Sequence, residues 1–168
     1  MVHASSSNIL DLVLYSRRDC IWKLADFGLA SEATSRTLHT TIDSKGTSGY
    51  RAPELIGWED NKFNNKVDIW SLGCILYELA VGQKAFKNDV ATFEYKTFGK
   101  GLTITFGNDF DDPCKEIITN TILNMLQIDY FSRPSAADLL QEFESNLHSI
   151  QVESISTVKI HEVLPGNL

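Results

Sequence analysis

At 168 residues the chain has room for one ordinary domain with its own core and is too short for two full ones. Hydrophobic residues make up 43% and charged residues 22%, which excludes the low-hydrophobicity regime of disordered chains. A net charge of -7 argues against a general nucleic-acid binder, because such affinity comes largely from Lys and Arg set against phosphates.

In chain order, residues 9–15 (Ile-Leu-Asp-Leu-Val-Leu-Tyr) and 21–25 (Ile-Trp-Lys-Leu-Ala) are apolar, branched or aromatic runs around the polar stretch Ser16 to Cys20. They predict a β-hairpin with a longer loop. From Ser31 to Ser48 the chain is rich in Ser and Thr with no sustained period, the pattern of a long and functional loop. Val67 to Val81 is apolar on nearly every face, which predicts a helix at the centre of a core. Asp89 to Phe98 suits a short amphipathic helix, and Leu102 to Phe106 an extended segment.

Asp111-Asp112-Pro113 supplies two acids and an early proline, the usual opening of a helix, followed by Ile118, Ile122, Met125 and Leu126 at helical spacing. Ser135 and Asp138 stand as a capping box with Asp in place of Glu, and Leu139, Leu140, Phe143 and Leu147 continue a helical stripe. The domain is expected over 1–147, with 148–168 as a C-terminal tail that is either loose or docked through Val158-Lys159-Ile160.

Cys20, Cys74 and Cys114 are odd in number and widely spaced, so neither a disulfide framework nor a zinc site is expected. No apolar run approaches the roughly 20 residues that span a bilayer, and Met1-Val2-His3-Ala4 leads into no signal-like stretch. A soluble, intracellular protein, cytoplasmic or nuclear, without membrane or nucleic-acid partners, is the expectation.

Asp26-Phe27-Gly28 follows the second predicted strand and opens the long loop. After it come Gly46-Thr47-Ser48-Gly49-Tyr50-Arg51-Ala52-Pro53-Glu54, then Asp68-Ile69-Trp70-Ser71-Leu72-Gly73, and finally Asp129-Tyr130-Phe131-Ser132-Arg133-Pro134. In order and spacing these resemble the C-terminal half of the eukaryotic protein kinase family, and Gly46-Thr47 fits the Ser/Thr pattern within it. The resemblance runs from about Asn8 to about Leu147. It implies a mainly α fold with a short β-hairpin, the C-terminal helical lobe of the kinase fold, which is α+β when complete.

The resemblance also implies roles. Asp26 would bind Mg²⁺ bridging the ATP phosphates and Asn8 would supply a second metal contact, as hard cations prefer oxygen ligands. Glu54 and Arg133 resemble the family's buried ion pair, a structural element suited to bidentate geometry. Asp68 would hold the catalytic loop's backbone, or serve as an ordinary acid at a helix N-terminus. Thr47 would position the substrate hydroxyl. Among Thr34, Ser35, Thr37, Thr40, Thr41 and Ser44, the candidate phosphosites are Thr40, Thr41 and Ser44, and Asp43 could stand in for a phosphate.

The pattern breaks ahead of Asn8. The family carries His-Arg-Asp followed by four residues and then the metal-binding Asn, with a Lys two residues after the Asp. His3 lies only five residues before Asn8 where the pattern needs seven, and no Asp, Glu, Lys or Arg occurs between Met1 and Leu10. The catalytic Asp is absent, as are a Gly-rich loop and its strand Lys, so the expectation is a partial domain inactive alone. The alternative is a pseudokinase-like binding or scaffold module. Partners would be a protein substrate or a protein partner, and Leu12, Leu14, Trp22 and Phe27 would form an associating surface where an N-terminal lobe is missing.

Overall fold

The structure, a computed structural model, describes residues 13–24, 39–40, 46–57, 62–99, 101–106 and 112–147. The chain divides into two compact units, Met1–Arg133 and Pro134–Leu168. In the first, strands β1 (Val13–Ser16) and β2 (Ile21–Leu24) pair antiparallel with Val13 opposite Leu24 and Ser16 opposite Ile21. Their connection closes locally: Ser16 Oγ donates to Asp19 at 3.0 Å, Lys23 Nζ to the same carboxylate at 2.7 Å, and Cys20 takes the left-handed turn conformation at φ 54°. The Lys23 ammonium, ahead of the Ser16 hydroxyl, holds the Asp19 carboxyl below its ordinary range.

The Ser/Thr-rich stretch contains one element that the sequence did not predict. Strand β3 (His39–Thr40) pairs antiparallel with β4 (Lys62–Phe63). Two residues are too few to display a period of two, so composition alone reads as loop.

Helix α1 (Lys66–Val81) runs through the middle of this unit, α2 (Asp89–Phe98) follows after a short connection, and α3 (Asp112–Met125) packs on α1. Local chemistry sets their ends. Gly82 at φ 79° returns its N–H to Glu78 O at 2.9 Å and ends α1. Asn88 caps α2 by accepting from Ala91 N at 3.0 Å, and Gly99 at φ 60° ends it. Residues 101–106 pair with no strand among the described residues, but Leu102, Ile104 and Phe106 turn alternately onto the core.

The core gathers Trp70, Cys74, Ile75 and Tyr77 of α1 with Phe86, Ile122 and Leu126. Trp70 stacks on Phe86 with centroids 5.4 Å apart and meets Tyr95 edge-on at 6.1 Å. Tyr95 Oη donates to Leu126 O at 3.2 Å, and Tyr77 Oη to Thr103 O at 2.8 Å, so both phenols bury their rings without losing a partner. Burial pushes the Cys74 thiol far above its ordinary range, against the opposing pull of Arg133, which makes it an inert core group.

One expectation fails in part. Helix α1 is central, but it is not buried all round: Leu72 and Leu79 are 43% and 57% exposed and share a face with Asp68. Residues four and seven apart line one face of a helix, so the open stripe is a consequence of period and not of scattered exposure.

Gly73 lies where α1 meets α3. A Cβ there would stand 2.9 Å from Met125 Cβ and 3.0 Å from Leu126 Cδ2. Gly73→Ala gains helix propensity of about 1 kcal/mol, yet it forces apart a close-packed seam at a cost of about 1–3 kcal/mol. A net loss of stability is expected in chemical denaturation, and Gly73→Val should lose more.

In the second unit residues 136–147 form helix α4. Ser135 and Asp138 close a reciprocal capping box, with Ser135 N donating to Asp138 Oδ2 at 2.7 Å and Asp138 N to Ser135 Oγ at 3.1 Å. Of its apolar stripe Leu139 is buried, whereas Leu140, Phe143 and Leu147 remain exposed.

Candidate functional site

The segment from Gly46 to Leu55 is folded against α1 and α2 by contacts that are distant in sequence. Gly46 and Gly49 both adopt positive φ, 90° and 85°, and Tyr50 N donates to Thr47 O at 3.1 Å, closing a turn with Ser48 at its exposed tip. Glycine is required twice over at position 49, since a Cβ would approach the Phe86 carbonyl oxygen to 2.6 Å. Thr47 is half-buried beside this turn.

Tyr50 anchors the downstream end. Its hydroxyl donates to Glu78, Lys84 Nζ lies 4.9 Å from its ring centroid, and its carbonyl accepts from Ser71 Oγ at 3.0 Å. Burial, reinforced by Glu78, pushes the phenol well above its ordinary range, so it stays a neutral donor. Arg51 pairs with Asp89 of α2 and also donates to Gly46 O, while Gly49 N donates to Asp89 Oδ1 at 3.2 Å.

Beneath this loop a one-turn 3-10 helix, Pro53–Leu55, presents Glu54 to Arg133. The guanidinium is 0% exposed and the carboxylate 9%. Arg133 Nη1 and Nη2 donate to the two Glu54 oxygens, each at 2.7 Å, in a fork-to-fork pair. Its other donors go to Gln127 O at 2.7 Å, Lys66 O at 3.1 Å and Ile128 O at 3.3 Å, so all five guanidinium N–H groups of an arginine have acceptors.

The plane also lies 5.0 Å from the Trp70 ring, and Lys66 Nζ donates back to Arg133 O. Asp129 aims the residue by accepting from Phe131 N at 3.1 Å and Ser132 Oγ at 2.7 Å, which bends the chain just ahead of it. The Ser132 bond, first among several, holds the Asp129 carboxyl below its ordinary range.

Asp68 occupies the first turn of α1. Although the residue is exposed, the protein around its carboxyl pushes its pKa upward by desolvation. The folded chain then holds this proton to higher pH than the unfolded one, so stability falls as pH rises through the raised folded value. Asp68→Asn is expected to raise the melting temperature at pH 7. Solvent screening keeps the gain under about 1 kcal/mol, and it should vanish below the ordinary value of 3.8 when both chains are scanned from pH 3 to 8.

The structure places Thr47, Glu54, Asp68 and Arg133 in one unit, with Asp68 on α1 itself. Asn8, Asp26, His3, Thr41, Asp43, Ser44 and the hairpin residues Leu12 and Phe27 lie outside the described residues; so do Thr34, Ser35 and Thr37 and the Val158-Lys159-Ile160 piece. Thr40 is the second residue of β3. The side chains of Leu14 and Trp22 are likewise outside the description. Among the described residues no three His, Cys, Asp or Glu side chains gather as a metal site.

The pairings of Arg51 with Asp89, of Tyr50 with Glu78 and of Lys66 with the Arg133 carbonyl are not readable from the sequence. No spacing marks them, since Arg51 and Asp89 stand 38 positions apart. Only the opposite charges hinted at a pair, and opposite charges are common.

The family model described as "Protein kinase domain" matches residues 6–143. Among curated proteins, the chain is 30% identical over 130 residues to serine/threonine-protein kinase nekl-2 of Caenorhabditis elegans, covering 77% of this chain and 34% of that protein. It is 32% identical over 176 residues to probable serine/threonine-protein kinase nek3 of Dictyostelium discoideum, covering 92% of this chain and 15% of that protein. To serine/threonine-protein kinase Nek8 of Danio rerio it is 34% identical over 128 residues, covering 76% and 17%. The chain thus spans about a third or less of the length of these relatives.

Proposed function

The chain belongs to the eukaryotic Ser/Thr protein kinase family, and from that premise we propose that residues 1–147 are the helical, substrate-facing part of a Ser/Thr kinase domain that does not transfer phosphate by itself. Residues 148–168 are its tail. The family moves the γ-phosphate of ATP, with Mg²⁺, to Ser or Thr hydroxyls of proteins. The observation that carries the reading is the segment from Gly46 to Glu54, whose turn is held by Tyr50, Arg51 and Gly49 and whose base is locked by the Glu54–Arg133 fork.

In this reading Thr47 faces the acceptor hydroxyl from a turn with little freedom, and catalysis that is mostly positioning needs such a frame. Asp26 and Asn8 would hold Mg²⁺, which supplies charge neutralisation at the phosphates when bound. Phosphate on Thr40, Thr41 or Ser44 would regulate the loop through its added charge. Inactivity rests on the residues before Asn8, which include no Asp to accept the hydroxyl proton and no Lys to steady the phosphate. No described helix is long and apolar enough to cross a membrane, and the odd number and wide spacing of Cys20, Cys74 and Cys114 suit a reducing, intracellular compartment.

A second reading, a binding module without chemistry, draws support from the exposed apolar side chains Leu72 and Leu79 on α1 and Val90, Phe93 and Phe98 on α2. One experiment tests the inactive-kinase reading. The purified chain is expected to show no shift in melting temperature with Mg-ATP and no transfer of labelled phosphate to a generic Ser/Thr acceptor. Transfer that disappears in Asp26→Ala would overturn it.

A further inference from the structure

Tyr50 fixes the downstream end of the 46–51 turn to α1, which leaves open what fixes the upstream end, where Thr47 lies. A single residue of α2 does so, through its side chain and its backbone N–H. Asp89, the first residue of α2, accepts from Gly49 N at 3.2 Å with one carboxylate oxygen and pairs with Arg51 through the other. Its own backbone N–H donates to Ser48 Oγ at 3.2 Å. Arg51 passes the constraint on by donating to Gly46 O, so Gly46, Ser48, Gly49 and Arg51 all hang from this one residue.

We propose that Asp89 is a positioning residue for the substrate-facing turn, setting the placement of Thr47 from the N-terminus of α2. The proposal rests on the reading of Thr47 as substrate-facing, but its geometry stands on its own. Asp89 is a suitable fixed point because α2 is itself pinned: Thr92 is fully buried, Tyr95 bonds Leu126 O, and Tyr95 packs against Phe86 at 5.3 Å. The Arg51 and Asp89 side chains are 14% and 26% exposed, too far from bulk water for an ordinary surface pair. Gly49 allows the approach, since its positive φ aims its N–H at the carboxylate while its missing Cβ leaves room for the Phe86 carbonyl. A carboxylate that accepts one N–H and one guanidinium together is a stronger hold than either bond alone.

The test uses hydrogen exchange of backbone amides in the full chain. In Asp89→Ala the amides of residues 46–49 are expected to exchange at least about tenfold faster, because a charge-assisted bond is lost from a local opening. Amides of Ile69 to Leu76 in α1 should keep their rates. Asp89→Asn retains an acceptor for Gly49 N and should recover most of the protection at Gly49, while the Gly46 end stays loose. Arg51→Gln added to Asp89→Ala should change the turn little further.

Three results would overturn the proposal. One is faster exchange confined to Val90 to Phe93, which would make Asp89 a helix-end residue only. The second is unchanged exchange of the turn, and the third is acceleration of turn and α1 together. Because no phosphoryl transfer enters the measurement, a loosened turn in a chain that transfers labelled phosphate by itself would count against the inactive-kinase reading alone. An unchanged turn would count against Asp89 alone.

Discussion

Arg133→Ala is expected to cost the chain about 3–5 kcal/mol, the range for breaking a buried charge pair by removing one partner. The reason lies in what stays behind. Glu54 would remain 9% exposed with neither of its two guanidinium bonds, and the carbonyls of Gln127, Lys66 and Ile128 would each lose a donor. A protein with roughly 5–15 kcal/mol of net stability gives up a large share of it, and the melting temperature should drop by about 10 °C or more.

Arg133→Lys should be nearly as damaging, since an ammonium offers three donors from one point where five are used in a plane. Glu54→Gln keeps the shape and removes the charge, so its loss should be smaller than that of Arg133→Ala. Urea denaturation of the four chains checks the order. The double variant Glu54→Leu with Arg133→Met should cost less than the sum of the separate losses, because no charge is then buried alone.

Trp70→Ala carries the second large effect, about 3–5 kcal/mol by the general cost of truncating a buried aromatic. The side chain has no solvent exposure and touches three distinct surfaces: the Phe86 ring, the Tyr95 edge and the Arg133 plane. It therefore joins α1, the segment before α2, α2 itself and the buried arginine in one contact set. Trp70→Phe is a sharper comparison. The indole Nε1 is buried with no hydrogen-bond partner, so the smaller ring removes an unsatisfied donor as well as contact area.

Trp70→Phe should accordingly lose under about 1.5 kcal/mol, far less than alanine. Trp70→Ala and Arg133→Ala should not add, since a guanidinium over an indole face is lost in either single change. Equal losses for the phenylalanine and alanine variants would mean that the indole's size, and not its packing as a ring, is what the core requires.

The legible part of the fold was local. Asp112 and Pro113 open α3, and Ser135 with Asp138 cap α4; each signal acts within one helical turn of the residues that carry it. The β3–β4 pair escaped for the opposite reason, because His39–Thr40 is two residues long and its partner lies more than twenty positions away. The candidate site divides the same way. Thr47, Glu54, Asp68 and Arg133 stood out by ordered motifs, whereas the partners of Tyr50 and Arg51, Glu78 and Asp89, had no motif to mark them and met these residues only by folding.

The sequence by itself determined the family, through motifs whose order and spacing survive without any structure, and the placement of the helices, through period and capping chemistry. The exposed stripe of α1 was decided only in three dimensions. Period reports that Leu72 and Leu79 share a face, but whether that face is covered depends on which elements arrive there. The same holds for the five acceptors around Arg133 and the carboxylate of Asp89 beneath the turn: their partners lie up to 79 positions apart. Electrostatics and packing act on distance in space, and distance in space is what a linear order of residues leaves out.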